Sequence, residues 1–137
     1  MKKLIHVCFH EPKDFRIIMQ GLKPQLITYC GSTGVLMVDL ALTECVNNAW
    51  EHGNKMANDK TVTVLIHATS KRLYFRVKDE GSGFNLDLES RKPPAMDNER
   101  GRGLFIIQEV MDYVIPSEKG NEMLLVKKIS DNGASST

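Results

Sequence analysis

The sequence lacks most of the features that mark secreted, membrane or nucleic-acid-binding chains. Its formal net charge is only +1, so neither a nucleic-acid partner nor a membrane surface is expected. No apolar run approaches the roughly 20 residues of a membrane span. The Met1-Lys2-Lys3 start precedes only a short apolar run containing His6 and His10, which is not the pattern of a signal peptide. Cysteine is scarce. Cys8, Cys30 and Cys45 are odd in number, scattered and without a CxxC pair, and they suit a reducing cytoplasm. Familiar nucleotide motifs are missing too. There is no GxxxxGK followed by Ser or Thr, no GxGxxG after a first strand, and no HRD or DFG. A P-loop, a Rossmann dinucleotide site and an ordinary protein kinase are thereby excluded. No internal repeat is present.

What remains is ordinary for one globular domain. The chain has 137 residues, 42% hydrophobic and 26% charged, enough to build a core. Leu4 to Phe9 reads as a first strand. Glu11-Pro12-Lys13-Asp14 reads as a helix entrance, with proline early and acidic residues in the first turn. Phe15, Ile18, Met19 and Leu22 give that helix a buried stripe. Tyr29 to Gly34 is a turn-rich break before a second, long helix, which Gly53-Asn54 is expected to end as a left-handed-tolerant pair. Val62, Val64 and Ile66 alternate with Thr61, Thr63 and Leu65. Leu73, Phe75 and Val77 alternate with Tyr74, Arg76 and Lys78. With Thr69 to Arg72 between them, the two runs form a hairpin. Asn85 to Arg100, charged and carrying Pro93-Pro94, reads as a mobile loop. A helical stripe follows Gly103: Leu104, Ile107, Met111 and Val114. Glu118 to Asn121 turns into a last strand, Met123 to Ile129. The expected architecture is α+β: a two-layer sandwich with one mixed, mostly antiparallel sheet covered by helices on one face. It fills residues 1–130 as a single domain, and 131–137 form a small, polar, disordered tail.

Three segments carry candidate chemistry. The first is Thr43 to Gly53. Glu44 and Asn48 stand four apart and share a helix face, while Val35, Val38, Leu42, Cys45, Val46 and Ala49 form the opposite, apolar stripe. A base and a neutral oxygen ligand on one rigid face suit magnesium and phosphate chemistry, although a solvated face is the ordinary alternative. The second is Val77 to Phe84. Asp79 has the parity of the buried Leu73, Phe75 and Val77, where a carboxylate needs a partner such as a purine amino group or a main-chain amide. Gly81 and Gly83 let backbone or a flat ligand come close, unless the segment is simply a turn. The third is Asn98 to Phe105, a glycine-rich loop opening into a helix whose free N–H groups favour phosphate. Arg100 and Arg102 add charged donors there.

Taken in order, ExxxNAxxHG, DxGxG and GRGLF resemble the three nucleotide-binding boxes of the GHKL (histidine-kinase-like) ATPases, whose ATP-binding Bergerat fold gyrase shares. The resemblance covers roughly Leu4 to Lys128. It is nearest to the single-domain bacterial anti-sigma-factor serine/threonine kinases. It implies ATP and Mg2+ as cofactors, with Glu44 as general base and Asn48 as magnesium ligand. It further implies Asp79 on the adenine amino group, with Gly81 and Gly83 shaping that pocket. Gly101, Arg102, Gly103 and Leu104 would cradle the phosphates beneath a lid. The implied partners are a STAS-domain anti-anti-sigma protein, a sigma factor and a second copy in a homodimer. The chain departs from the pattern at Gly120-Asn121-Glu122, where relatives often carry threonine behind the adenine-binding aspartate.

Two other readings stay open: an ATP-binding regulatory module without phosphotransfer, and a detached histidine-kinase-type catalytic domain. A base at Glu44 suits a hydroxyl acceptor better than a histidine. His6, Cys8 and His10 alternate along the first strand as metal ligands can, but without a fourth ligand they read as an edge-strand accident. His52, one turn after Asn48, fits either the phosphate site or the dipole at a helix C-terminus. Trp50 and the methionines read as core or partner surface.

Overall fold

A computed structural model describes residues 1–82 and 99–129, with backbone alone for 99–102. The elements run β1 (Lys2–Phe9), α1 (Pro12–Asn48), a π-helical turn (Ala49–Gly53), β2 (Val62–Ala68), β3 (Arg72–Lys78), α2 (Glu99–Val110), β4 (Tyr113–Pro116) and β5 (Glu122–Lys128). The strands form one sheet in the order β1-β2-β3-β5-β4, and every described pair is antiparallel. The expected two layers are therefore present, without a parallel pair among the described residues.

Local chemistry accounts for most boundaries. The Glu11 backbone N–H donates to the Asp14 carboxylate at 3.2 Å, and Pro12 opens the helix where no N–H is needed. Gly31, at φ 75° and ψ 172°, divides α1 into two rods. That conformation is closed to residues with a Cβ, so the break falls inside the turn-rich Tyr29 to Gly34 stretch. The β2–β3 hairpin closes through the Thr69 N–H to the Arg72 carbonyl at 2.9 Å.

One face of the sheet meets the helices. Phe15, Val38, Leu42 and Val46 from α1 share a core with Val64, Ile66, Phe75 and Leu125 from the strands and Ile107 from α2. Burying each such side chain contributes about 1.5–3 kcal/mol. Phe9 stacks on Phe15 with centroids 5.4 Å apart, fixing β1 over the start of α1.

Several expectations need correction. Gly53-Asn54 is not left-handed: the positive φ values lie at Lys55 and Met56. The turn ending the long helix is π-helical, with the Asn54 N–H reaching back to the Ala49 carbonyl at 2.8 Å. Val114 belongs to β4 rather than to a helical stripe. α2 stops at Val110, and Asp112 then ties the chain to β5, its N–H donating to the Val126 carbonyl at 2.9 Å and its carboxylate accepting from the Lys128 N–H at 2.6 Å. α2 also begins at Glu99, so Gly101 and Gly103 lie within the helix and not in a loop before it. Finally, Pro12–Gly53 is by length and composition capable of crossing a bilayer, against the expectation that no segment is. Its break at Gly31 and its sheet-facing stripe are those of a core helix. The segment 85–98 and the tail 131–137 lie outside the described residues.

Candidate functional site

The last α-helical turns of α1, the end of β3, the first half of α2 and the β4–β5 turn meet around one cleft. Cys45, Asn48, Ala49, Val77, Asp79 and Leu104 line it, closed at the back by Ile107, Gly120, Asn121 and Met123. Helical spacing brings Glu44 and Asn48 to the same side of α1, both half-buried. α2 crosses directly over them. A Cβ on Gly103 would stand 2.9 Å from Glu44 Oε2 and 3.4 Å from Asn48 Nδ2. The absence of a side chain at 103 thus sets how closely α2 approaches the carboxylate and the carboxamide.

Asp79 occupies the floor. It sits one residue beyond β3, on the buried parity, and is 3% exposed. Its Oδ1 accepts the Gly81 N–H at 2.7 Å, closing a tight turn, and its own N–H donates to the Asn121 carbonyl at 2.9 Å. Burial raises the Asp79 carboxyl above the ordinary carboxylate range, against the opposing effects of the Gly81 amide and the Lys60 charge. Cys45, beside it, is pushed up to about 12 by burial and then by the Asp79 charge, so it remains a thiol. The site thus joins an apolar slot floored by one carboxylate to a polar mouth holding another carboxylate and an amide.

Two residues outside the expected set build this floor. Gly53 packs under Asp79 so closely that a Cβ there would fall on the carboxylate, and a Cβ on Gly81 would fall on the Gly53 carbonyl. Asn54 is fully buried. Its Nδ2 donates to the Thr61 carbonyl at 2.9 Å and its Oδ1 accepts the Glu80 N–H at 2.7 Å. Glu80 in turn accepts from the Thr61 hydroxyl at 2.9 Å, and the Thr61 backbone and hydroxyl hold its carboxyl below the usual range. The only sequence signal for these roles was the HG ending the ExxxNAxxHG segment, which on its own reads as a helix stop.

Of the expected site residues, Glu44, Asn48 and Gly103 come together at the mouth, and Asp79, Gly81 and Leu104 in and around the cleft. Gly101 falls in α2. The Arg102 side chain and all of Gly83 lie outside the described residues. At the Gly120-Asn121 departure the contact with Asp79 is between backbones, the Asp79 N–H donating to the Asn121 carbonyl, and it does not reach the carboxylate. His52 lies in the π turn and does not line the cleft. Among the described residues no cluster of three or more metal-ligating side chains occurs; His6 and Cys8 are exposed on β1, and His10, exposed just after it, has its Nδ1 3.1 Å from the Lys60 carbonyl.

A family model for the histidine kinase-like ATPase domain matches residues 23–127. The chain belongs to this family. Membership implies ATP use. A serine-protein kinase RsbW from Listeria innocua serovar 6a is 31% identical over 103 residues, covering 67% of this chain and 64% of that protein. The serine-protein kinase RsbW from Listeria monocytogenes serotype 4a is 30% identical over the same coverage. The chain thus spans 64% of the length of these curated relatives.

Proposed function

We propose that this protein is an ATP-dependent serine/threonine protein kinase. It acts as an anti-sigma factor in a partner-switching system and phosphorylates a STAS-domain anti-anti-sigma protein. It works in the cytoplasm as a homodimer and alternates between that substrate and a sigma factor. The observation that carries the reading is the juxtaposition of Glu44 and Asn48 beneath Gly103, with buried Asp79 on the floor of the adjoining cleft. Similarity to two proteins named serine-protein kinase supports the hydroxyl acceptor.

In this reading the Asp79 carboxylate accepts a hydrogen bond from the adenine amino group while Oδ1 keeps the Gly81 N–H. Gly81, Gly83 and Leu104 bound the base. Gly101, Arg102 and Gly103 face the phosphates. Asn48 Oδ1, beside the Glu44 carboxylate, offers the hard oxygen donors that magnesium prefers. The bound ion would neutralise phosphate charge. Glu44 takes the proton of the acceptor serine or threonine hydroxyl. That oxygen bonds to the γ-phosphorus as the bond to the ADP oxygen breaks. Phosphoryl transfer depends mostly on positioning and electrostatics, and a positioned base adds roughly 10²–10⁴-fold.

The test is Glu44→Gln, which keeps shape and removes basicity. With labelled ATP and STAS proteins of the same genome, the variant is expected to bind Mg-ATP normally and transfer at least about a hundred-fold more slowly. The product should be acid-stable. Wild-type transfer in the variant would place the base elsewhere, and an acid-labile product would indicate a histidine acceptor. No transfer by the wild type to any such protein would leave a module that uses ATP only as a conformational ligand.

A further inference from the structure

Asn54 is the least exposed polar side chain among the described residues, at 0%, yet it does not line the cleft. A buried carboxamide is costly unless its donor and its acceptor are both met. Both are met here, by main-chain groups that each work in one direction only. The Thr61 carbonyl can only accept, and it takes Nδ2 at 2.9 Å. The Glu80 N–H can only donate, and it gives to Oδ1 at 2.7 Å. These partners fix which way the amide points, and they call for a side chain with one donor and one acceptor at this reach. Aspartate lacks the donor, and glutamine is a methylene longer.

The two partners are themselves joined. The Thr61 N–H and hydroxyl both donate to the Glu80 carboxylate, the hydroxyl at 2.9 Å. Asn54, Thr61 and Glu80 thus close a ring of hydrogen bonds. Glu80 is gripped at its backbone by Asn54 and at its carboxylate by Thr61. It is also the central residue of the turn that aims Asp79, whose Oδ1 accepts the Gly81 N–H at 2.7 Å. The ring therefore holds the middle of the turn whose ends are Asp79 and Gly81.

The backbone around Asn54 points the same way. Its N–H closes the π turn on the Ala49 carbonyl, and its carbonyl accepts the Ala57 N–H at 3.1 Å. Between these bonds the chain passes through two successive non-glycine residues of positive φ, Lys55 at 53° and Met56 at 59°. That region is disfavoured for residues with a Cβ, and such residues persist where the surroundings over-determine them. Here the reversal is built on Asn54 itself and leaves its side chain facing inward.

We propose that Asn54 is a positioning residue for base recognition. It fixes the Asp79-Glu80-Gly81 turn so that the Asp79 carboxylate stands where the amino group of a purine arrives. The inference rests on the reading of Asp79 given above and adds the residue that sets the precision of that contact. A hydrogen bond weakens steeply as its angle closes, so a turn free to shift loses the base without losing the pocket. The side-chain bonds of Asn54 run to Thr61 and Glu80 rather than to Glu44 or Asn48 at the mouth. Its removal should therefore be felt at the base and not at the phosphates.

The test is calorimetric titration of Mg-ATP and Mg-GTP into the wild type, Asn54→Ala and Glu80→Ala, well below their melting temperatures and with circular dichroism as the check on folding. Glu80→Ala cuts the exposed side of the ring, and its lost charge acts on both nucleotides alike, so the ratio of affinities is the readout. The wild type is expected to prefer ATP at least about ten-fold. Asn54→Ala should weaken ATP about ten-fold and leave GTP within about two-fold, collapsing the preference. Glu80→Ala should lower the preference less, by about three-fold. Equal losses for the two nucleotides in Asn54→Ala would make Asn54 a support of the fold alone and overturn the proposal. So would an undiminished ATP preference in that variant. Should Asn54→Ala not fold, Glu80→Ala decides, and an unchanged preference there overturns it too. A wild type that binds both nucleotides equally, or neither, removes the reading of Asp79 and the proposal with it. That failure shows in the wild type alone, which separates it from a failure confined to the variants.

Discussion

Asp79 is held at a cost that its surroundings only partly offset. One backbone amide and the distant Lys60 charge oppose a burial that favours the neutral acid. The sign follows from linkage: a carboxyl raised in the fold stabilises it fully below the unfolded value and loses that contribution as pH rises through the folded value. At neutral pH the ionised Asp79 is therefore a liability of the nucleotide-free protein. Asp79→Asn keeps an acceptor for the Gly81 N–H and removes the charge. The variant should melt no lower than wild type at pH 7, and the difference should shrink as pH falls into the carboxylate range. A lower melting temperature at pH 7 would show that the buried charge is net stabilising. Gly53 makes the complementary case. Gly53→Ala forces a methyl onto the Asp79 carboxylate, and overpacking of this kind costs about 1–3 kcal/mol. Its denaturant midpoint should fall accordingly, and an unchanged midpoint would mean the floor is looser than its geometry implies.

At the scale of elements, α2 and α1 are each shaped by one glycine. Gly103→Ala should favour the helix by up to about 1 kcal/mol. Its methyl would meet Glu44 Oε2 at 2.9 Å, the movable end of a flexible side chain. Stability should therefore hold or rise while phosphotransfer falls at least about ten-fold, because displacing a positioned base costs rate rather than folding energy. Full activity in a stable Gly103→Ala would remove the close approach from the mechanism. Gly31→Ala should act oppositely, destabilising by roughly 1–3 kcal/mol through its φ and ψ alone. The elements also show where the sequence was legible. β2 and β3 announced themselves by strict alternation, and the α1 break by its clustered turn residues. β4 was hidden because Val114 happens to extend the helical spacing of Leu104, Ile107 and Met111, and only the tertiary bonds of Asp112 divide helix from strand. The start of α2 was hidden because Gly101 and Gly103 look like a loop, and the packing of Gly103 against Glu44 and Asn48, which makes a glycine useful in the helix, lies across the fold. Glu44, Asn48 and Asp79 were legible because spacing and parity fix where they point. Gly53 and Asn54 were not, because their contacts lie across the fold, at Asp79, Glu80 and Thr61.

For the molecule as a whole, the cleft is the coupling element between ligand and fold. As it stands it holds about 20 Å³, room for about one water molecule, so a purine is expected to enter as Leu104 and α2 separate from Asp79 and the Gly120-Asn121 turn. Nucleotide binding is then expected to move α2, and with it the mouth at Glu44 and Asn48. Binding that selects the folded, opened molecule stabilises it by mass action, by about 2.7 kcal/mol at a hundred times the dissociation constant. At about 3 °C per kcal/mol for a domain of this size, Mg-ATP should raise the melting temperature by roughly 8 °C. Hydrogen exchange should change in α2 and in the β4–β5 turn more than in β1 or β2. GTP at the same concentration should shift melting less, since the Asp79 carboxylate finds no amino donor at the corresponding ring position. A charge-assisted hydrogen bond contributes about 1.5–3 kcal/mol, which makes the expected discrimination at least ten-fold. Equal shifts with ATP and GTP would remove base recognition from Asp79. No shift with either at millimolar concentration would separate this chain's cleft from nucleotide binding altogether. ATP stabilisation with exchange unchanged in α2 would mean that the cleft admits the base without moving the helix above Glu44.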